Sequence, residues 1–287
     1  MKKIAIMTDS TCCLPQELLD QYGIHVVPLY VHFDDKVYRD GVDLTPDEFY
    51  DLLRKAKNLP TTSTPSVGDL SEAYRKLGQS TEAIMCIFIS AVYSTTVEAG
   101  NVAKDMLKES FPKTDVEVID SRATGGALGF IALEAARAAS QGSNMAKVAA
   151  KAKEMIPKVS MIAALDTLFY LSKGGRIGTA SAWAGAMLRI KPLIEVTTTT
   201  GNTEALEQTR TKRRAVERLL EIVKERVGQA PLHAIVHHAG APDEGEALKA
   251  EVAARFNCAE LYLTPFTPVM GAHTGPCTVG ISFYAED

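Results

Sequence analysis

The sequence predicts an α/β protein in two parts: a parallel sheet with flanking helices over residues 1–157 and a mixed α/β sheet over residues 158–287. Three observations predict it. A length of 287 residues suits two domains. Short apolar runs alternate with helical patterns through the first half, the signature of parallel strands joined by crossover helices. The second half instead carries two strand-like runs meeting at Gly201-Asn202, a hairpin signal, among further helices and strands.

KIAIMTDST (3–11) reads as a buried strand whose C-terminal end bears Thr8, Asp9, Ser10 and Thr11. LPQELLDQYG opens on Pro15 and closes on Gly23, so it is expected to be a helix. IHVVPLYVHF (24–33) is strand-like, and DDKVYRDGVDL reads as a hairpin tip. TPDEFYDLLRKAK (45–57) carries a capping box, with Thr45 as the cap, Pro46 at the first helical position and Glu48 at the third. Helices are expected over 67–78 and from TTVEAG onward, with strands at AIMCIFIS (83–90) and VEVIDS (116–121). GALGFIALEAARAASQG is an apolar helix, and NMAKVAAKAKEMI is a helix ending near Pro157.

Beyond that boundary, FYLSKGGRIG (169–178) reads as a Gly-rich turn before the helix TASAWAGAML. KPLIEVTTTTGNTEALEQT (191–209) is the antiparallel pair. KRRAVERLLEIVKERVG and DEGEALKAEVAARF are helices; LHAIVHH, AELYLTPF and TVGISFYAED are strands.

Composition excludes several classes. A net charge of −4 argues against nucleic acid as the main partner. Five cysteines without a CxxC pair or finger spacing fit a reducing compartment, so a cytoplasmic location is expected. The N-terminal MKKIAIMTDS reaches Thr8 and Asp9 after four apolar residues, too short for a signal-peptide core. No apolar run approaches the roughly 18 residues of a membrane span, so no stable insertion is expected. His237 and His238 are adjacent on a strand and point to opposite faces, which argues against a shared metal. DSRATGGALG fails the dinucleotide fingerprint because Thr124 stands at its first glycine, and neither a Walker A nor a GxSxG motif occurs. No cofactor is expected.

Ligands of parallel α/β sheets bind beyond the C-terminal strand ends. Thr8 to Thr11, then Ser90 and Ser94, then Asp120 and Ser121 all follow strands. The hydroxyl-rich NLPTTSTPSVGDL (58–70) enters a helix whose first amides suit an anion. The plainer reading of these residues is helix capping. His273, between glycines in GAHTGPCTVG, is expected in a tight loop as a donor or acid–base group, or simply as a structural histidine. Arg210 opens the run TRTKRR, where positive charge opposes the helix dipole and hints at an anionic partner; a solvated face is the alternative.

Taken together, TDST (8–11), TSTPS (62–66), SAVYSTT (90–96), DSRATGGALG (120–129), LSKGGRI (171–177) and GAHTGPCTVG (271–280) resemble the DegV family. That family includes the fatty-acid-binding subunits of bacterial fatty acid kinase. The resemblance implies a non-catalytic protein that buries a long-chain fatty acid between two domains and presents its carboxylate to a separate kinase subunit, which forms the acyl phosphate. It assigns the carboxylate to Thr62, Ser63, Ser94 and His273, and it associates Arg176 with the kinase partner and the acyl phosphate. Arg210 joins Arg176 as an expected partner or acyl-phosphate contact. Thr64 stands where the family has glutamine, Thr95 where it has glycine, and Cys277 where the last glycine of HTGPG belongs. Burying about 15 methylenes at about 0.8 kcal/mol each gives roughly 12 kcal/mol gross, before ordering costs. The buried carboxylate then needs donors, which hydroxyls, helix-end amides and His273 can supply. Two alternatives remain open: Ser94 with His273 as an acyl-transfer or hydrolase pair, and a lipid sensor that works without a kinase.

Overall fold

The computed structural model describes residues 4–112, 114–186 and 189–286. β1 (Ile4–Asp9) leads through a 3-10 turn (Ser10–Cys12) to α1 (Gln16–Tyr22), β2 (Ile24–Val27), β3 (Tyr30–Phe33) and β4 (Lys36–Arg39). Then come α2 (Pro46–Lys55), β5 (Thr61–Ser63), α3 (Val67–Gly78), β6 (Ala83–Phe88), α4 (Thr96–Ser110), β7 (Asp115–Asp120), α5 (Gly125–Ser140) and α6 (Met145–Met155). The second half begins with β8 (Ser160–Ala164), α7 (Phe169–Lys173), a 3-10 segment (Gly178–Ala186), β9 (Lys191–Thr197) and β10 (Asn202–Thr209). It closes with α8 (Lys212–Val227), β11 (Leu232–His238), α9 (Pro242–Arg255), β12 (Cys258–Pro265), α10 (Pro268–Thr274) and β13 (Val279–Ala285).

The α/β class is as expected. A parallel sheet runs β2-β1-β6-β7, and a six-stranded mixed sheet runs β10-β9-β8-β13-β11-β12, with β11 and β12 its parallel pair. The pleat sorts side chains by parity. Ala5, Met7, Ile84, Cys86 and Phe88 pack with α3 and α4, whereas Ile6, Met85 and Ile87 pack with α1, α5 and α6. In the mixed sheet, Ile162, Leu193, Val236 and Ile281 meet α8 and α9 on the outer face. The inner face meets α5, which is buried along most of its length and lies between the two sheets.

A buried hydrogen-bond chain locks α5 in place. The Gly126 amide donates to His237 Nε2 at 3.3 Å, which leaves Nδ1 to carry the proton toward Thr264 Oγ1 at 3.0 Å. Thr264 donates in turn to the Cys13 carbonyl at 2.9 Å, across the two halves. Burial pushes the His237 pKa down to about 3, so the ring stays neutral at physiological pH. α5 also approaches the 3-10 turn after β1 closely at Gly129. A Cβ there would stand 2.6 Å from the Cys12 carbonyl oxygen, which is backbone and cannot swing away. Gly129→Ala is therefore expected to cost about 1–3 kcal/mol, read as a lower thermal midpoint.

Several elements differ from the sequence reading. The strand-like run 24–33 is two strands in two sheets, because Pro28 cannot extend a ladder and Leu29 N donates to Ser10 Oγ instead, at 3.1 Å. The hydroxyl stretch is not a free loop. Thr61–Ser63 form β5, which pairs antiparallel with β3 in a separate three-stranded sheet, order β4-β3-β5. Ser66 just beyond it completes a capping box with Asp69 at the start of α3. The capping box at Thr45 is present as expected. SMIAA (160–164), assigned to no element above, is a central strand of the mixed sheet. FYLSK is a short helix before the glycine turn, and the expected helix TASAWAGAML is a 3-10 segment over Gly178–Ala186; Met187 and Leu188 lie outside the described residues.

Candidate functional site

Between the sheets lies a cavity with about 740 Å³ of empty space, its mouth included. That is within the range of small-molecule pockets. Its walls come from four directions. Thr11, Ile89 and Thr124 follow β1, β6 and β7, so the cavity lies beyond the C-terminal ends of the parallel strands. Met161 and Ala163 of β8, Ile194 and Val196 of β9, and Thr203 of β10 form an inner wall on the mixed sheet. β5 and the residue after it contribute Thr62 to Thr64. α10 contributes Val269, Met270, His273 and Thr274. Most of the lining surface is apolar, and the polar groups gather mainly where β5, α10, the turn at 93–96 and Arg176 meet.

His273 is the centre of that polar end. It sits in the last turn of α10, not in the tight loop read from the glycines. Its Nε2 lies 2.9 Å from Thr62 Oγ1. Its Nδ1 is buried without a hydrogen-bond partner, a costly state for a ring nitrogen. Burial, with the nearby Arg176 charge adding to it, holds the His273 pKa down to about 4. The ring is therefore neutral near pH 7 and can offer one donor and one acceptor.

β5 decides which hydroxyls face in. Val31 pairs with Thr62, and Val31 is wholly buried, so Thr62 points inward. Ser63 takes the opposite face, where its Oγ lies 2.7 Å from His32 Nε2. Ser63 borders the cavity, but its hydroxyl is turned toward that exposed partner. Ser94 meets the residue after β5, with Oγ 3.0 Å from Thr64 Oγ1 and 2.8 Å from Thr96 Oγ1. These hydroxyls stand at the N-terminal end of α4, whose first amides also favour an anion. Thr64 thus bridges β5 and the α4 turn. Ser94 and His273 share the cavity but bond to different hydroxyls, so the serine–histidine pair is not assembled here.

Arg176 lines the cavity and is half-buried. Its Nη2 and Nε donate to the Tyr93 carbonyl at 2.8 and 3.3 Å, and Nη1 donates to the Gly174 carbonyl at 2.6 Å. The guanidinium therefore clamps the 93 turn to the glycine turn while presenting positive charge beside His273. Thr203 Oγ1 donates to the Arg176 carbonyl at 2.8 Å and lies 2.8 Å from Tyr93 OH. Arg210 stands apart: it is exposed after β10 and is not among the lining residues.

Met161 and Thr203 are wall residues outside every quoted motif, and Tyr93 and Thr124 lie within quoted motifs but carry no wall role in that reading. Alternation along β8 and β10 is the only sequence signal for Met161 and Thr203, and their inward face shows only once the strands are paired. Asp9 and Ser90 were grouped with the strand-end polar residues and serve the frame. The Asp9 carboxylate accepts from Ile89 N at 2.7 Å and from Thr11, and burial pushes its pKa up. Ser90 Oγ donates to the Gly201 carbonyl at 2.7 Å, tying the 90–94 turn to the β9–β10 turn. Among the described residues there is no group of three or more His, Cys, Asp or Glu able to hold a metal, and no helix is long and apolar enough to cross a membrane.

Comparison with known proteins places this geometry in context. A family model described as an uncharacterised protein of the DegV family matches residues 3–286. A DegV domain-containing protein of Clostridium acetobutylicum is 35% identical, with 99% of this chain and 98% of that protein covered. A fatty-acid-binding DegV family protein from Thermus thermophilus superimposes with a TM-score of 0.90 at 31% identity, over 100% of both chains. DegV of Bacillus subtilis, described as a fatty acid binding protein, superimposes with a TM-score of 0.91 at 32% identity, also over 100% of both chains.

Proposed function

Because the chain belongs to the DegV family, we propose that it binds a long-chain fatty acid, with the acyl tail in the cavity between the sheets and the carboxylate at its polar end. The single observation that carries this is the cavity itself: an apolar space closed at one end by Thr62, Ser94, His273 and Arg176. An ionised carboxylate there would meet hydroxyl donors, one neutral imidazole and one half-buried guanidinium, which together offset its desolvation. Ser63 borders the cavity, but its hydroxyl faces His32, so the head-group reading rests on Thr62, Ser94 and His273. We also propose that the sheets mark two domains at 157/158, because the parallel and three-stranded sheets arise before that point and the mixed sheet after it. The protein acts as a carrier in the cytoplasm, without catalysis or cofactor, and presents the carboxylate to a separate kinase subunit. What supports the last step is the Arg176 charge at the polar end, beside His273. Arg210, outside the cavity, serves only as a candidate for the partner's surface.

The test is native mass spectrometry of the purified protein with lipid analysis of an organic extract. One fatty acid per chain is the expected result. A protein that is empty and refuses added palmitate would overturn the reading. A second prediction concerns Arg176. Since its fork holds two carbonyls beside the head group, Arg176→Ala is expected to weaken palmitate binding by about tenfold, the order of one charge-assisted contact. Unchanged affinity by equilibrium dialysis would leave Arg176 to the partner alone.

A further inference from the structure

α10 carries four residues of the cavity wall, yet its own start is poorly capped. Thr267 occupies the cap position and makes no side-chain cap hydrogen bond. The first-turn amide of Val269 is met from elsewhere: Asp40 Oδ1 accepts it at 3.0 Å, across 229 residues of sequence. Asp40 is 2% exposed and follows β4. Its backbone is fixed by the bond from its amide to the Leu29 carbonyl at 2.9 Å, by a bridge to Leu44, and by Gly41 at φ +71° beyond it. The carboxylate therefore joins the β3–β4 hairpin to the helix that bears His273.

Its surroundings are unusual for a charge. The titratable groups facing it are Asp9 at the end of β1, Cys12 in the 3-10 turn, Cys13 just after it and Tyr50 on α2, none of them a cation. On α10 itself the titratable residue is His273, at the far end. The hydroxyls of Ser10 and Thr267 lie toward the carboxylate and favour its ionised form, while Asp9 opposes it; even so, Asp40 Oδ2 and Thr267 Oγ1 are each buried without a hydrogen-bond partner. A fully buried acid kept without a cation carries a stability cost, and such costs persist where a site needs them.

We propose that Asp40 is a positioning residue of the carboxylate site, acting through α10: when ionised it holds the helix's first turn and so sets His273 against Thr62. The proposal rests on the fatty-acid reading for its ligand, but its structural half stands apart from it. Burial raises the Asp40 pKa from its ordinary 3.8 to about 6. The folded protein thus binds a proton between about pH 4 and 6 that the unfolded chain does not. Any stability from protonated Asp40 is fully present below about pH 4 and lost as pH rises through about 6. The site is best ordered where Asp40 is ionised, above that range, at the expense of global stability.

Asp40→Asn, in the full chain, keeps an oxygen for Val269 but removes the charge. Palmitate affinity should fall about tenfold at pH 7.5, the order of a helix-cap contact, and the gap to the native protein should close by pH 5. The thermal midpoint should move the other way: the variant should be the more stable at pH 7.5 and equal near pH 4. A merely structural cap would instead lose stability. Nuclear magnetic resonance of the ligand-free native protein should show the His273 ring moving in a step near pH 6, absent from Asp40→Asn. Equal affinities at pH 7.5, or a gap that does not change with pH, would overturn the proposal. If palmitate binds neither protein, the fatty-acid reading fails and the His273 ring decides alone. Should the variant not fold, the native titration decides: a step near pH 6 supports the proposal, and a single step near pH 4 sinks it.

Discussion

Ala163→Phe is expected to abolish measurable binding of palmitate while leaving the protein folded. Ala163 sits on β8, between its sheet partners Ile194 on β9 and Gly280 on β13, and its methyl faces the cavity. A phenyl ring added there has empty space to enter, so it fills a void rather than overpacking a core. The same ring takes the place of the acyl tail. If it displaces about five methylenes at about 0.8 kcal/mol each, roughly 4 kcal/mol of binding is lost, about a thousandfold in Kd. A short acid such as octanoate should lose less, since fewer of its carbons reach the wall. The comparison of palmitate and octanoate by equilibrium dialysis, with a melting curve for each protein, checks this. Palmitate binding that survives unchanged would place the tail outside the cavity.

The parallel half was legible because β1, β6 and β7 each lead into a helix, β6 as a continuous apolar run, and because Thr45 and Glu48 announce a capping box by spacing alone. The mixed half was less so. β8 is only five residues long and directly follows α6 and its turn, so SMIAA carries too little pattern of its own to be assigned before β13 and β9 pair with it. The site was legible as a set of residue types and not as an arrangement. TTSTPS advertises hydroxyls, but which of them face inward depends on β5 pairing with β3, a contact between segments about thirty residues apart. That pairing separates Thr62 from Ser63. Asp40 had no signal of its own: DGVDL is an ordinary turn, and its partner Val269 lies at the other end of the chain. Arg176 stands out in KGGRI as a residue type, but its fork on Tyr93 and Gly174 could not be read from that motif.

Thr62 and His273 should behave as one unit in binding. Removing either donor beside a charged group costs about 1.5–3 kcal/mol, so Thr62→Val and His273→Phe are each expected to weaken palmitate by roughly 10- to 150-fold. Their 2.9 Å hydrogen bond means that neither acts independently. Without His273, the Thr62 hydroxyl loses the partner that orients it. Without Thr62, His273 Nε2 joins Nδ1 in lacking a protein partner. The double variant should therefore fall short of the product of the two single effects, with a coupling of about 1 kcal/mol or more in the cycle. The sign of the pH effect follows from the empty site. His273 is held neutral down to about pH 4, and a bound carboxylate brings an opposite charge that raises its pKa. Binding near the raised value takes up a proton, and calorimetry in buffers of different ionisation enthalpy should record that uptake. In His273→Phe the uptake should vanish while Asp40 still titrates. Strict additivity of the two substitutions, with proton uptake unchanged by the loss of His273, would separate the imidazole from the head group and leave Thr62, Ser94 and Arg176 to hold it.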